Sequence, residues 1–208
     1  MGNQEANDCQ TSSLYIVRAD VDGNVDETTL VDTVKTYLWD RLMEIRARLS
    51  NGSRSVFDFT DMAVLIGALA NVTDAHSKHD TEQYIDFVKS EFVPTSELRK
   101  DLVATVFYCL LRCGLVHEMS LGGHNISVNR RNAINDYEVS VSHDKSPNAK
   151  WYEVNQGTKH VVFYAHELLD KIASCIEKCF DGKSDLWRTV RGKVMSDSGI
   201  RVIGVEAS

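Results

Sequence analysis

Thr95-Ser-Glu-Leu98-Arg-Lys-Asp-Leu102-Val103-Ala-Thr-Val106-Phe107-Tyr-Cys-Leu110-Leu111-Arg112-Cys-Gly-Leu-Val-His117-Glu118 is the most apolar periodic stretch of the chain. Leu98, Leu102, Val103, Val106, Phe107, Leu110 and Leu111 recur at helical spacing in a stripe too wide for one solvent-facing surface. The stretch therefore predicts a helix from Thr95 or Ser96, buried on more than one side at the centre of a bundle. Gly122-Gly123 ends the pattern.

Helical periodicity extends outward on both sides. Leu30, Val34, Leu38, Leu42, Ile45 and Leu49 predict a helix over 27–49 that stops at Asn51-Gly52. A second helix is expected from Thr60-Asp61, whose side-chain oxygens suit an N-cap, through Met62, Leu65, Ile66 and Leu69. A third runs over 81–92 until Pro94 stops it. After a polar break the period becomes two: Ile126-Ser-Val128, Tyr137-Glu-Val139-Ser-Val141, Trp151-Tyr-Glu-Val154 and Val161-Val-Phe163 read as strands. Leu168, Leu169, Ile172, Ala173 and Ile176 then restore the helical period over 165–180. A short helix over 187–194 and a strand over 200–205 are expected near the end. The organisation is a mainly α, up-and-down helical bundle over 27–181, with 124–164 as an inserted β-hairpin or small sheet. Residues 1–26 and 182–208 are N-terminal and C-terminal extensions.

The chain has 208 residues, 43% hydrophobic and 25% charged, which excludes a disordered chain, a collagen-like repeat and a disulfide-stapled miniature. Its formal charge of -7 argues against wrapping duplex DNA, which takes many cations to displace counterions. A small basic site for one phosphate at a time remains compatible with it. No uninterrupted apolar run reaches the roughly 18 residues of a membrane span, and Met1 to Gln10 lacks a signal-peptide core. Met1-Gly2 lacks the Ser or Thr that myristoylation wants at Ala6. A cytoplasmic protein is expected, so the Asn-x-Ser/Thr triplets at Asn51, Asn71 and Asn125 carry no weight.

Cys109/Cys113 and Cys175/Cys179 are each spaced four apart among apolar residues. Four thiolates suit zinc, but structural zinc sites favour tight loop spacings. The reading is buried reduced thiols acting as small hydrophobes, with no metal and no cofactor. Gly182-Lys183-Ser184 fails as a phosphate loop, because Glu177 stands where a glycine is needed and a helix precedes it. His76 and His79, with Asp74 and Asp80, read as a solvated loop rather than a metal clip.

Arg112 and His117 close the most buried helix, where charged groups are rare unless paired or functional. On a regular α-helix, residues five apart point about 140° from each other. They converge only if Gly114 loosens the helix or if two subunits share a site. Otherwise Arg112 pairs with an acid at a helix end while His117 caps carbonyls.

Phe107-Tyr-Cys-Leu-Leu-Arg112-Cys-Gly-Leu-Val-His117-Glu118 resembles the signature of the HEPN superfamily (higher eukaryotes and prokaryotes nucleotide-binding), an Arg, four to six residues, then a His. Tyr84-Ile-Asp-Phe-Val-Lys-Ser-Glu-Phe-Val-Pro94 resembles the approach helix of some bacterial members. The resemblance spans about 30–118, with 165–180 supplying a last helix of an up-and-down, HEPN-like bundle. It implies a metal-independent endoribonuclease, toxin or defence-related, acting as a homodimer on RNA and open to an antitoxin or other protein partner. Arg112 then holds the scissile phosphate, and His117 is the general acid or base as the 2′-hydroxyl attacks. Glu118 orients His117, while Arg130 and Arg131, or Arg188, Arg191 and Lys193, form a basic rim. Cys113 stands where active members usually carry a polar residue, often Asn. The competing expectation is a non-catalytic HEPN-like module binding a nucleotide or a protein. A plain helical interaction protein is the third class.

Overall fold

The computed structural model describes residues 27–73, 80–115 and 137–196. Helix α1, Glu27–Ser50, buries Val31, Val34, Leu38, Leu42, Ile45 and Leu49, the row set by its three-and-four spacing. Its end is a glycine stop: Gly52 has φ +81°, and its amide and that of Ser53 donate to Leu49 O and Arg48 O at 3.0 and 2.9 Å.

Helix α2, Val56–Thr73, begins four residues before the expected Thr60. Ser55 does the capping, accepting the Phe57 amide on Oγ at 3.2 Å and the Asp58 amide on its carbonyl at 3.1 Å. Thr60 is inside the helix, its hydroxyl buried without a hydrogen bond. Among the described residues α2 alone is long and apolar enough to cross a membrane by length and composition. Its Phe59, Met62, Ile66 and Leu69 are fully buried within the protein.

Helix α3, Asp80–Phe87, widens into a π-turn over Val88–Phe92. Val93 then leaves the helix at φ -98°, ψ 129°, the extended conformation that a following Pro94 requires. Helix α4 begins at Lys100 rather than at Thr95 or Ser96, and runs to Val106. Leu98, expected in its buried stripe, lies in the preceding turns and is 99% exposed. Beyond Val106 the helix is a π-helix over Phe107–Arg112. Val103, Ala104, Val106, Phe107, Cys109 and Leu111 are buried, so this helix is central as its stripe predicts.

Three strands follow: β1 Glu138–Ser142, β2 Tyr152–Asn155 and β3 His160–Tyr164. The sheet order is β1-β3-β2. A hairpin pairs β2 antiparallel with β3, Tyr152 opposite Phe163 and Asn155 opposite His160. Strand β1 lies parallel to β3, Glu138 opposite His160 and Ser142 opposite Tyr164. The chain passes directly from β3 into helix α5, Ala165–Cys179, and then into α6, Asp185–Ser196. The α6 residue Val190 is fully buried, so the segment after 181 contributes to the core. The strands expected over 126–128 and 200–205 lie outside the described residues.

The sheet is packed into the helices. Phe107, in the π-turn of α4, meets Phe163 and Trp151 edge to face, with centroids 5.2 and 5.4 Å away. Trp151 stacks on Phe163 at 5.6 Å. Its indole Nε1 donates to Phe92 O at 2.9 Å, giving a partner to a carbonyl at the end of the α3 π-turn. The protein is thus mainly α, six helices and a three-stranded sheet among the described residues, with an aromatic cluster at the junction.

Candidate functional site at the end of helix α4

Arg112 is the last residue of the π-turn, where the Cys113 amide bonds back five residues to Tyr108 O. A π-turn is uncommon and recurs at functional sites. Gly114–Leu115 are again π. His117, Glu118, Arg130 and Arg131 lie outside the described residues, so Arg112 is the one described member of the expected catalytic set.

Two tyrosines seat Arg112. Its guanidinium carbon lies 5.4 Å from the Tyr108 ring centre and 5.9 Å from that of Tyr84. The rings are 5.2 Å apart and tilted by 57°. These three centres form a nearly equilateral triangle, so both rings lie on one side of the cation instead of sandwiching it. Each contact contributes roughly 0.5 to 2 kcal/mol, depending on desolvation.

The rings are themselves fixed. Tyr84 donates its hydroxyl to Ala63 O of α2 at 3.0 Å, and Tyr108 shares a 2.8 Å hydrogen bond with Thr81 of α3. Tyr84 lies so close to α2 that a Cβ on Gly67 would stand 3.4 Å from its ring. Burial pushes the Tyr84 phenol well above its ordinary value, with the Arg112 charge acting in the opposite direction. Tyr108 is raised too, chiefly by burial and against the Thr81 bond. Both rings are therefore neutral at physiological pH. Cys113 is buried, its sulfur a weak acceptor 4.0 Å from Arg112 Nη1.

The remaining sequence candidates separate. Asp181 accepts the Lys183 and Ser184 amides at 2.7 and 2.8 Å, and these bonds hold its carboxyl below the ordinary range. A protein carboxylate thus occupies the amides that a phosphate loop would offer. Cys109, Cys113, Cys175 and Cys179 are buried reduced thiols, as expected. The Cys175 thiol beside Cys179 helps push the latter upward. Among the described residues no three His, Cys, Asp or Glu side chains group to hold a metal ion. Of the basic rim, Arg188 pairs with Asp185 at 2.8 Å. His76 and His79 lie outside the described residues.

Sequence reasoning missed a second polar centre. Asp58 is the only buried charged or polar residue found among those described, 1% exposed. It accepts from Arg48 Nε at 2.9 Å and Ser53 Oγ at 2.8 Å, and His143 Nε2 is 3.4 Å away. His143, just after β1, also lies 3.1 Å from Ser55 O and edge-on to Phe59 at 5.4 Å. Since both neighbours of Nε2 are acceptors, that nitrogen carries the proton. The signal was an aspartate between Phe57 and Phe59 in an apolar helix. Its role is to tie the α1–α2 turn to the sheet.

Comparison with protein families, with curated proteins and with solved structures finds no match.

Proposed function

We propose that this chain is a metal-independent endoribonuclease of HEPN type, built as an up-and-down bundle with an inserted sheet. The observation that supports this reading most is the seating of Arg112, a partly exposed cation at a π-turn that ends the most buried helix. Arg112 contacts the phosphate and stabilises charge growing on its oxygens. The RNA 2′-oxygen attacks phosphorus and loses its proton to a base, the P–O5′ bond breaks, and the 5′-oxygen takes a proton from an acid. The products are a 2′,3′-cyclic phosphate and a 5′-hydroxyl, and His117 supplies one or both proton transfers. Glu118 orients His117, and Arg130 and Arg131 contact flanking phosphates. Two copies pair their motifs at a two-fold axis, in a cytoplasmic toxin or defence protein with RNA as substrate and an antitoxin as partner.

One observation favours a second reading, a non-catalytic module binding a nucleotide or protein. Cys113, in the position usually polar, is 7% exposed and directed toward the Arg112 and Tyr108 groups. A DNA oligonucleotide carrying one ribonucleotide separates the two. The ribonuclease cuts only on the 3′ side of that residue, whereas the binding module retards the oligonucleotide and leaves it whole.

A further inference from the structure

Strand β2 pairs with β3 alone, so its other edge is free among the described strands. The Tyr164 amide donates to Trp151 O at 2.9 Å, which sets the alternation of the ladder. Glu153 and Asn155 then bond to Val162 and His160, while the amides and carbonyls of Tyr152 and Val154 point to the free edge. A groove of about 200 Å³ lies along that edge. It touches Tyr152, Glu153 and Val154 in succession. Side chains alternate between the two faces of a strand, so a groove that meets three residues running follows the backbone edge.

The turn before α4 supplies Glu97 and Arg99 to this groove, and the loop before β2 supplies Asn148 and Lys150. Its charges are used unevenly. Glu97 accepts the Tyr152 hydroxyl at 3.2 Å, and Glu153 accepts that of Tyr164 at 3.0 Å. The Arg99 and Lys150 side chains have no ion pair or hydrogen bond among the described residues; only their backbone amides are bonded, to Glu97 and Ser146. Both carboxylates are occupied and both cations are not, so the charge that complements the groove is negative. Leu98, between two of its residues, is 99% exposed and offers apolar area beside it.

An extended acidic peptide meets all of these features. Its backbone answers the donors and acceptors of Tyr152 and Val154 at the strand repeat, and its carboxylates answer the two cations. A phosphodiester chain fits less well. It has no donor for the Tyr152 and Val154 carbonyls, and Glu97 and Glu153 repel its continuous charge.

We propose that the groove along β2 takes an extended acidic segment of a partner protein, which adds as a fourth strand beside β2, sets carboxylates against Arg99 and Lys150, and covers Leu98. The inference stands whether or not the chain cleaves RNA.

Fluorescence anisotropy tests it with a labelled seven-residue peptide that alternates valine with glutamate, titrated with the full chain. The wild type binds this peptide with a Kd below about 100 μM. Reversing both charges, Arg99→Glu with Lys150→Glu, weakens binding about tenfold or more, and a valine–lysine peptide does not bind. An analogue N-methylated at every amide keeps the charge, loses the donors, and binds about tenfold more weakly or worse. Both substituted positions are exposed, so far-ultraviolet circular dichroism of the variant stays that of the wild type; the N-methylated peptide carries the test if it does not. A wild type that leaves the glutamate peptide free overturns the proposal. So does an N-methylated analogue that binds as the parent does, which marks a simple carboxylate site, or a double variant within threefold of wild type. Displacement of the peptide by oligothymidylate at equal concentration also overturns it, in favour of nucleic acid.

Discussion

Removing Arg48 should destabilise the protein more than removing Asp58, although the two are partners in one ion pair. Asp58 is 1% exposed and Arg48 41% exposed, so loss of either leaves a very different orphan. In Asp58→Ala, Arg48 turns into water or keeps Asp61, while Ser53 and His143 each lose an acceptor. One or two broken part-buried hydrogen bonds cost about 2 kcal/mol. In Arg48→Met the carboxylate stays buried with the Ser53 hydroxyl and His143 alone, and an uncompensated buried charge costs about 3 to 5 kcal/mol. At about 2 to 4 °C per kcal/mol for a chain of this size, Tm falls by about 6 °C in Asp58→Ala and about 12 °C in Arg48→Met.

Thermal melts by circular dichroism read both losses. A larger loss in Asp58→Ala than in Arg48→Met refutes the asymmetry argument.

Other outcomes follow from the same contacts. Tyr84 and Tyr108 ionise above their ordinary value of 10, so the stability they contribute is full below pH 10 and is lost as pH rises beyond it. Absorbance at the tyrosinate band should show them titrating only with alkaline unfolding, and early reversible titration of all seven tyrosines contradicts this. Trp151→Phe loses the bond to Phe92 O and part of the Phe107–Phe163 cluster, costing roughly 2 to 3 kcal/mol in urea unfolding. A change below about 0.5 kcal/mol would argue that the sheet does not buttress the helices. The four buried cysteines should react with a thiol reagent only on unfolding, and their prompt modification in the native state would remove them from the core. Tyr108→Leu should lower RNA cleavage at least as much by raising KM as by lowering kcat, whereas Tyr108→Phe keeps the ring under Arg112 and stays close to wild type.

The long helices were legible because their cores are simple rows. The Leu38-Leu42-Ile45-Leu49 row of α1 and the Leu168-Leu169-Ile172-Ile176 row of α5 are buried as their spacing requires. Strand alternation located β1, β2 and β3, but it says nothing of order, and the parallel pairing of β1 with β3 came only with the structure. Helix starts were misplaced where two cap residues competed. Ser55 wins over Thr60 because it precedes the buried Phe59, and Leu98 matched a period without having anything to pack on. The π-turns leave no periodic trace over five or six residues, although Trp151 touches both of them, at Phe92 O and at the Phe107 ring. Of the candidate site, Arg112 was legible as a cation ending an apolar helix. Its tyrosine seat was not, since Tyr84 and Tyr108 each match the core pattern of their own helix and meet only in three dimensions.

The central claim is that the motif ending in His117 cuts RNA through Arg112. End-labelled single-stranded RNA incubated with wild type in excess chelator, beside Arg112→Ala and His117→Ala, tests it most directly. The account predicts fragments ending in a 2′,3′-cyclic phosphate from the wild type, and rates lower by about 100-fold or more in each variant. No cleavage of any RNA by the wild type, or equal cleavage by all three proteins, would contradict it.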